Sequence, residues 1–386
     1  MASSTERSSL LPIDIIEEIF CRTPIEYLTQ FKLTCKQWHV LLKDKRFIYK
    51  YLDLVQDQER FIRIGHNVQI IDPVNVARSS SPVPNVIHNL AQISAMVHCD
   101  GLLLCRCKNI GSRSCKLAVW NPFLNRVKWI ELMDFYSSND FYGIGYDNAC
   151  RGEYKVVRIF DGELDDESEI TSSCEPKIQI YDFKTDSWRV LVDNTTLDWS
   201  LDPPCKGVSV KGNMYWIAHW NNRLEIFIQS FDFSTETFKL VCDIPFRCGV
   251  LDTAALSSFR GDRLSLLHQH GETMKIEVWI TNKLSDEVVS WTKYLDVSSP
   301  DLPTLHTDQD LAHPSYFIDK NDSIIVWCEE ETEDETDDDV TVRVCKISKD
   351  GIVEKQVDAG RCDLRSDDKP FVCGYVYVPS LVPVPE

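Results

Sequence analysis

The first fifty residues carry apolar side chains at helical spacing. Ile15, Ile16, Ile19 and Phe20 recur at i, i+1, i+4 and i+5, which predicts that all four lie on one helical face. A second apolar series steps by three and four residues and consists of Leu28, Phe31, Cys35, Trp38 and Leu42. The pattern predicts three short helices between residues 11 and 52. About forty residues cannot bury so large an apolar surface alone, so we expect a partner for it, in this chain or outside it.

Two prolines mark the limits of the first helix. Pro12 stands in the first helical turn, where its missing N–H would be unpaired in any case. Pro24 ends the helix because a proline moves the preceding residue, here Thr23, out of the α region.

From Arg60 onward the pattern changes to alternation of apolar and polar residues, rich in Val, Ile and aromatic side chains, as in β-strands. A unit of strand, short polar turn and strand recurs five times, and a further strand precedes each unit. The five units align on Trp120, Tyr181, Phe231, Trp279 and Cys345. Five repeats of at least three strands predict the blades of a β-propeller.

The two ends of this region supply strands for a sixth blade. Residues 61–64 and 375–378 both read as strands, and their pairing would close the ring and remove its open edges. The predicted fold class is therefore α+β and multidomain. Residues 1–10 are expected to be disordered, residues 11–55 to form a three-helix domain, and residues 56–386 to form an all-β, propeller-like domain of about six blades.

Charge and composition exclude several classes of function. A net charge of −19 argues against a duplex-DNA or RNA binder, since phosphate contacts need clustered Lys and Arg. Residues 161–169 hold six carboxylates and residues 329–339 hold nine, so the rest of the chain has a formal charge of only −4. Both runs look like insertions between the second and third strands of a blade. Such runs are commonly solvated loops, although they could also shape a recognition face.

Neither a metal site nor a membrane segment is expected. The fifteen cysteines include no C-x-x-C pair, and Cys105 and Cys107 alternate within a predicted strand, as buried thiols in a reducing compartment do. The chain has no run of eighteen apolar residues and no apolar signal region at its N-terminus. We therefore expect an intracellular protein of the cytoplasm, the nucleus or both.

No catalytic motif is visible, so no catalytic residue and no cofactor are predicted. His268 and His270 would share one strand face, but no third ligand is near them in sequence, and His219 is expected to be a hydrogen-bonded sheet residue. Trp199 lies in a predicted connection between blades. It is our candidate for an exposed aromatic side chain that contacts a substrate.

Residues 11–38 resemble the F-box of plant F-box proteins. The motif residues are Leu11, Pro12, Asp14, Glu18, Ile19, Arg22, Pro24, Phe31, Lys32, Lys36 and Trp38. The segment departs from the usual pattern at Phe20, at Thr23 and at residues 33–35. The repeats resemble the type-1 F-box-associated domain, which is related to kelch-like propellers, through motifs that include residues 100–103, 119–122 and 377–381.

The resemblance implies a substrate receptor of an SCF-type (Skp–cullin–F-box) ubiquitin ligase. The F-box would bind a Skp-type adaptor, and through it a cullin, while the propeller would hold a protein substrate for ubiquitination. The implied adaptor-binding and supporting residues are Leu11, Pro12, Ile15, Ile16, Ile19, Pro24, Leu28 and Trp38. Two alternatives stay open: an adaptor-binding protein that turns over no substrate, and a propeller enzyme.

Overall fold

The computed structural model describes most of the chain from Leu11 to Glu386. The described residues are 11–55, 59–64, 67–72, 77–82, 91–109, 115–132, 140–160, 177–191, 197–201, 205–223, 225–249, 251–305, 314–331, 339–363 and 374–386. Short N-terminal helices are followed by an all-β propeller of six blades, which confirms the predicted fold class. Residues 1–10 lie outside the described part of the chain.

The helical domain has four helices, and the prediction of three was wrong. They are α1 (Ile13–Cys21), α2 (Ile25–Phe31), α3 (Lys36–Leu41) and α4 (Lys45–Leu54). The second apolar series is divided between α2 and α3, because a turn follows Phe31. The fourth helix begins at Asp44, whose Oδ1 accepts a hydrogen bond from the backbone N–H of Arg46 at 2.8 Å. This cap satisfies one of the N–H groups that a helix start leaves unpaired.

Each blade is an antiparallel sheet of at least four strands. Blade 1 consists of β25 (Tyr375–Tyr377), β1 (Arg60–Ile64), β2 (Asn67–Asp72) and β3 (Ala77–Pro82), and blade 2 of β4 (Ala91–Cys99), β5 (Leu102–Asn109), β6 (Cys115–Asn121) and β7 (Arg126–Ile130). Blade 3 consists of β8 (Phe141–Tyr146), β9 (Tyr154–Phe160), β10 (Lys177–Asp182) and β11 (Ser187–Val190), and blade 4 of β12 (Trp199–Ser200), β13 (Val208–Val210), β14 (Asn213–Trp220), β15 (Ile226–Asp232) and β16 (Thr237–Asp243). Blade 5 consists of β17 (Thr253–Phe259), β18 (Arg263–Gln269), β19 (Ile276–Thr281) and β20 (Trp291–Val297), and blade 6 of β21 (Tyr316–Ile318), β22 (Ile324–Glu331), β23 (Asp339–Ile347) and β24 (Val353–Asp363).

The ring closes by pairing the two ends of the propeller. Strand β1 pairs with β25 in antiparallel register, with Arg60 opposite Tyr377 and Ile62 opposite Tyr375. The predicted sixth blade is thereby confirmed. The five aligned residues of the repeat, from Trp120 to Cys345, all lie in the third strand of their blades, counted from the axis.

The antiparallel blades give the propeller two different faces. Connections between the first and second strands of a blade, and between the third and fourth, lie on one face, which we call the turn face. Three of them are tight turns with positive φ at both central residues, at Asp100-Gly101, Lys211-Gly212 and Arg260-Gly261. The opposite face, the link face, carries the connections between second and third strands and the links between blades.

The acidic runs belong to connections that begin and end on the link face. Residues 161–169 fall between β9 and β10 and lie outside the described residues. Of residues 329–339, those at 329–331 end β22 and Asp339 begins β23, while 332–338 lie outside the described part. Both runs are therefore inserted between the second and third strands of their blades, as predicted.

The helical domain is packed on the turn face. Buried side chains of the helices, such as Phe47 and Tyr51, share one apolar cluster with Tyr146, Tyr154 and Leu381 of the propeller. The C-terminal tail contributes to this contact, and its Val382 carbonyl accepts a hydrogen bond from the Asn121 side chain at 2.7 Å. Because the cluster is continuous, the two domains behave as one packed body.

Arg151, in the connection that precedes β9, links the two domains. Its guanidinium donates to both carboxylate oxygens of Asp100, at 3.0 and 3.1 Å, and to Asp53 of α4 at 2.7 Å. The same guanidinium lies 4.6 Å from the ring centre of Tyr49 in α4 and 5.6 Å from that of Tyr146 in the propeller. Burial opposes its charge, yet the hydrogen bond and charge of Asp100 raise the pKa of Arg151, so the group stays cationic.

We expect Arg151→Ala to lower the free energy of unfolding by about 2–3 kcal/mol, because it leaves the half-buried Asp100 carboxylate without its guanidinium partner. Denaturant unfolding of the full chain measures the effect. Lys184→Ala, which removes an exposed partner of Glu153, is the control and should leave the unfolding midpoint unchanged. An unfolding midpoint of Arg151→Ala as high as that of Lys184→Ala would contradict this account of the domain junction.

Because β25 closes the ring, we expect a large loss of stability when Tyr377, which is completely buried in that strand, is replaced. We expect Tyr377→Ala to cost about 3–5 kcal/mol of unfolding free energy, since it opens a cavity in the closing blade. The exposed Tyr27 provides the matched control, and Tyr27→Ala should change stability by no more than about 0.5 kcal/mol. Equal thermal midpoints for the two variants would argue against closure through β25.

Candidate functional site

Helix α1 carries two apolar stripes side by side. Ile15 and Ile19, one turn apart in α1, and Leu11, just before the helix, form the first stripe and are 49%, 46% and 53% exposed. Ile16 and Phe20 are only 3% and 2% exposed and face the interior. The prediction that Ile15 and Ile16 share one face with Ile19 and Phe20 is thus only partly right, since neighbours along a helix are about 100° apart. One stripe holds the domain together, and the other is open to solvent.

The eight residues predicted for the adaptor surface divide by burial. Pro12 and Pro24 are exposed along with the Leu11–Ile15–Ile19 stripe, whereas Leu28 is completely buried and Trp38 is half-buried. Adaptor contact by these residues stays a prediction, with Ile16, Leu28 and Trp38 placed to support the surface from within. Sequence reasoning missed five further exposed apolar side chains in this domain, at Ile13, Tyr27, Leu33, Val40 and Leu54. The helical period would have indicated the four that lie in helices, whereas Leu33 lies in the turn between α2 and α3.

An aromatic cluster fixes the relative positions of the helices. The Phe20 ring packs edge-on against Trp38 of α3 at 5.2 Å and against Phe47 of α4 at 6.3 Å, and it stacks on Phe31 of α2 at 5.5 Å. Phe20 is one of the departures from the usual F-box pattern. Its ring fills the centre of the domain, so the substitution does not alter the exposed stripe.

The prediction of an exposed Trp199 is wrong. Trp199 is 6% exposed, because it lies in the short strand β12 and pairs with Trp220 of β14. Its ring packs against Phe238 of β16 at a centroid distance of 5.2 Å. The tryptophan is therefore part of the blade core, and the exposure on which its predicted substrate contact depended is absent.

A cavity of about 260 Å³ lies among the innermost strands of the propeller. Its walls come from β4, β13, β17, β21 and β25, together with the adjoining ends of β14 and β15. The space exists because several wall residues are small, among them Gly207, Ser209, Ala218, Ala254 and Ser258. Along β17 alternate residues are half-buried, and these line the cavity: Ala254, Leu256 and Ser258.

His98, near the end of β4, lines the end of the cavity that lies toward the turn face. Its Nε2 accepts hydrogen bonds from the backbone N–H of Gly101 at 2.9 Å and of Val378 at 3.4 Å. Burial lowers the pKa of His98 to about 4, so the ring is neutral near pH 7. This end of the cavity therefore presents no charge.

A polar end of the cavity is formed by the residues just before the short inner strands β13 and β21. Lys206 lies there, donating to Ser315 Oγ at 2.9 Å, with its Nζ 4.7 Å from the ring centre of Tyr375. His219 Nε2 lies 2.8 Å from Ser200 Oγ, in keeping with the expected hydrogen-bonded sheet histidine. The cavity is thus apolar over most of its depth and polar at this end.

Asp252, His268 and His270 are held by one another and by the backbone. His268 Nε2 lies 2.9 Å from Asp252 Oδ2, and the imidazole stacks on Phe246. Burial alone would raise the pKa of Asp252, but hydrogen bonds from Gly249, Gly271 and His268 lower it to about 2. Nδ1 of His270 accepts weak bonds from two backbone N–H groups at 3.3 and 3.4 Å, just beyond the end of β18. These groups stabilise a loop at the cavity rim.

The described residues contain neither a candidate metal site nor a helix that could span a membrane. Within the described ranges, no three His, Cys, Asp or Glu side chains converge so as to hold a metal ion. No helix in that part of the chain is long and apolar enough to cross a membrane.

Comparison with known proteins supplies the family. The model of the F-box domain matches residues 8–50, and that of the F-box associated beta propeller domain matches residues 52–384. The Arabidopsis thaliana protein named "Putative F-box protein At3g22650" is 82% identical over 384 residues, covering 100% of both chains. The F-box/WD-40 repeat-containing protein 1 of the same plant is 47% identical, covering 100% of this chain and 92% of its own. This chain belongs to the family of plant F-box proteins that carry an F-box-associated β-propeller domain.

Proposed function

We propose that this protein is a substrate receptor of an SCF-type ubiquitin ligase. Its helical domain binds a Skp-type adaptor, and through it a cullin, while its propeller binds a protein substrate. The observation that carries the proposal is the exposed Leu11–Ile15–Ile19 stripe, on a domain whose opposite side is packed on the propeller. Such a receptor belongs in the compartments where ubiquitin ligases act, the cytoplasm and the nucleus.

The exposed stripe has the composition of a protein interface. Burying an Ile or Leu side chain completely contributes about 1.5–3 kcal/mol, so three half-exposed side chains contribute a few kcal/mol on docking. Glu18 and Arg22 flank the stripe and form an exposed ion pair at 2.7 Å. An apolar centre with a polar rim is the usual arrangement of a protein–protein contact.

In this role the receptor acts by holding its bound substrate in a defined position relative to the adaptor. The helical domain occupies the turn face, so a substrate bound on the link face lies on the far side of the propeller from the adaptor. The Arg151 junction and the shared apolar cluster hold this arrangement. A rigid receptor keeps a lysine of its substrate near the ubiquitin-conjugating enzyme and so raises the effective concentration, without forming or breaking a bond itself.

The groups around the cavity support a non-catalytic role. Asp252 is held as a carboxylate by His268 and two backbone N–H groups, and the half-buried His98 is neutral. A general acid or base needs a pKa near the working pH and access to its substrate. Neither residue meets both conditions.

Adaptor binding tests the proposal. We expect the double variant Ile15→Asp, Ile19→Asp to lose at least about 100-fold in affinity for a recombinant Skp-type adaptor, because charged groups would then be buried in the contact. Isothermal titration with the full chain measures the affinity. Val190→Asp, at an equally exposed apolar position on β11, should bind as wild type does.

A wild-type protein that bound no adaptor would overturn the receptor proposal. The same variants separate the receptor from an adaptor-binding protein without turnover. In a reconstituted ligase, proteins captured by the propeller should be ubiquitylated with wild type and with Val190→Asp, but not with the double variant. Captured proteins that remain unmodified in all three reactions would favour the alternative.

Substitutions of Ile15 and Ile16 should distinguish a residue that contacts the adaptor from one that stabilises the helical domain. We expect Ile15→Ala to weaken adaptor binding about tenfold while unfolding free energy stays within about 1 kcal/mol of wild type. Ile16→Ala should instead cost about 2–5 kcal/mol of stability, because Ile16 is buried. Its affinity, measured below the unfolding transition, should remain close to that of wild type. The reverse pattern would mean that the exposed stripe is not the contact surface.

A further inference from the structure

We propose that the cavity among the innermost strands binds a small, neutral molecule that is mostly apolar and carries one oxygen acceptor. The inference goes beyond the receptor role, because it assigns to the propeller a ligand that is not a protein. It rests on three properties of the described residues: the size and walls of the cavity, the protonated nitrogen of His98, and the opposite charges of Lys206 and Asp252.

The size and walls of the cavity suit a compact apolar molecule. An apolar cavity of about 150 Å³ takes up benzene from solution, so one of about 260 Å³ accommodates a fused-ring molecule of about ten non-hydrogen atoms. Val208, Ile217 and Leu256 supply aliphatic walls, and Tyr316 and Tyr375 supply aromatic ones. Apolar walls with a few polar groups among them are the usual construction of a small-molecule site.

His98 provides a hydrogen-bond donor for the ligand. Its Nε2 accepts hydrogen bonds from the backbone N–H groups of Gly101 and Val378, so the proton of the neutral ring is on Nδ1. Within the described ranges, no hydrogen-bond acceptor takes this Nδ1–H. A donor that is removed from water without an acceptor raises the free energy of the protein. A ligand with an oxygen acceptor at this end of the cavity is therefore favoured.

The charges along the cavity select a neutral ligand. The Lys206 ammonium and the Asp252 carboxylate both line it. An anionic ligand is attracted by the first and repelled by the second, and a cationic ligand meets the reverse. The pair therefore gives an ionised ligand no net attraction that would offset the loss of its hydration. A neutral molecule avoids this loss.

The test uses the full chain and four probes built on one ring system. 1-Indanone is neutral and has a carbonyl oxygen, and 1-methylindane has nearly the same shape without the oxygen. 1-Aminoindane and indane-1-carboxylate carry a positive and a negative charge. Ligand-observed NMR measures the four affinities for the wild-type protein.

We expect 1-indanone to bind with a dissociation constant of about 0.1–1 mM, the range for an efficient ligand of this size. 1-Methylindane should bind about 3- to 10-fold more weakly, the effect of one hydrogen bond. Each charged probe should bind at least about tenfold more weakly than 1-indanone, because its hydration is lost without compensation.

Two variants and a control locate the bound probe. Ser258 lines the cavity, and Ser258→Phe places a ring in it from β17, so 1-indanone should no longer bind. Ser187→Phe, at an exposed position on the outer strand β11, should bind as wild type does. His98→Phe keeps a ring but removes the donor, so it should bind 1-indanone and 1-methylindane equally. That ratio is taken within one variant and does not depend on its stability.

A wild-type protein that does not bind 1-indanone at about 1 mM would overturn the proposal. Binding of 1-indanone to Ser258→Phe as tightly as to wild type would do the same. Equal wild-type affinities for 1-indanone and 1-methylindane would refute the oxygen acceptor, and an equal affinity for either charged probe would refute the neutral ligand. The wild-type series needs no variant, so the proposal stays testable if a variant does not fold. No adaptor is present, so the outcome is separate from the adaptor titration.

Discussion

The pairing of β25 with β1 is the constraint on which the rest of the structure depends. It joins residues more than three hundred positions apart and completes the first blade, so that the six sheets form a closed ring. Because β1 starts on the turn face and β25 ends there, closure brings the helical domain and the C-terminal tail to the same place. Ser380 Oγ donates to the carbonyl of Asp100 at 2.6 Å, so the tail is tied to the first turn of blade 2. Closure also brings the inner strands together around the cavity.

Strand alternation then separates the two surfaces that the proposed function needs. Antiparallel strands place the tight turns on one face and the connections between second and third strands on the other, so the helical domain and those connections are on opposite sides. The junction at Arg151 joins the helical domain to the turn face, because one guanidinium contacts carboxylates and aromatic rings of both domains. A receptor that works by position requires such contacts between its domains more than it requires any reactive group.

The first helix shows how closely spaced residues acquire different roles. Ile15 and Ile16 are chemically identical neighbours, yet the rotation of about 100° per residue turns one outward and the other into the aromatic core. An apolar pattern that covers more than one face of a helix therefore indicates two contact surfaces, one covered by the chain itself and one available to another protein. The sequence pattern indicated that a partner was needed, and the packing shows which side chains the chain itself already covers.

The sequence by itself determined the local features: strand alternation, the repeat that aligns the third strands, the strands that close the ring, and the F-box motif. These are readable because periods of 2 and 3.6 residues are imposed by neighbouring backbone atoms. Only the tertiary structure decided that Trp199 is buried, that a turn after Phe31 separates α2 from α3, and that Arg151 reaches Asp53 across 98 positions. The cavity is another feature that only the tertiary structure decided. Burial, ion pairs and cavities depend on residues that closure brings together from distant parts of the chain, and no local pattern encodes those distances.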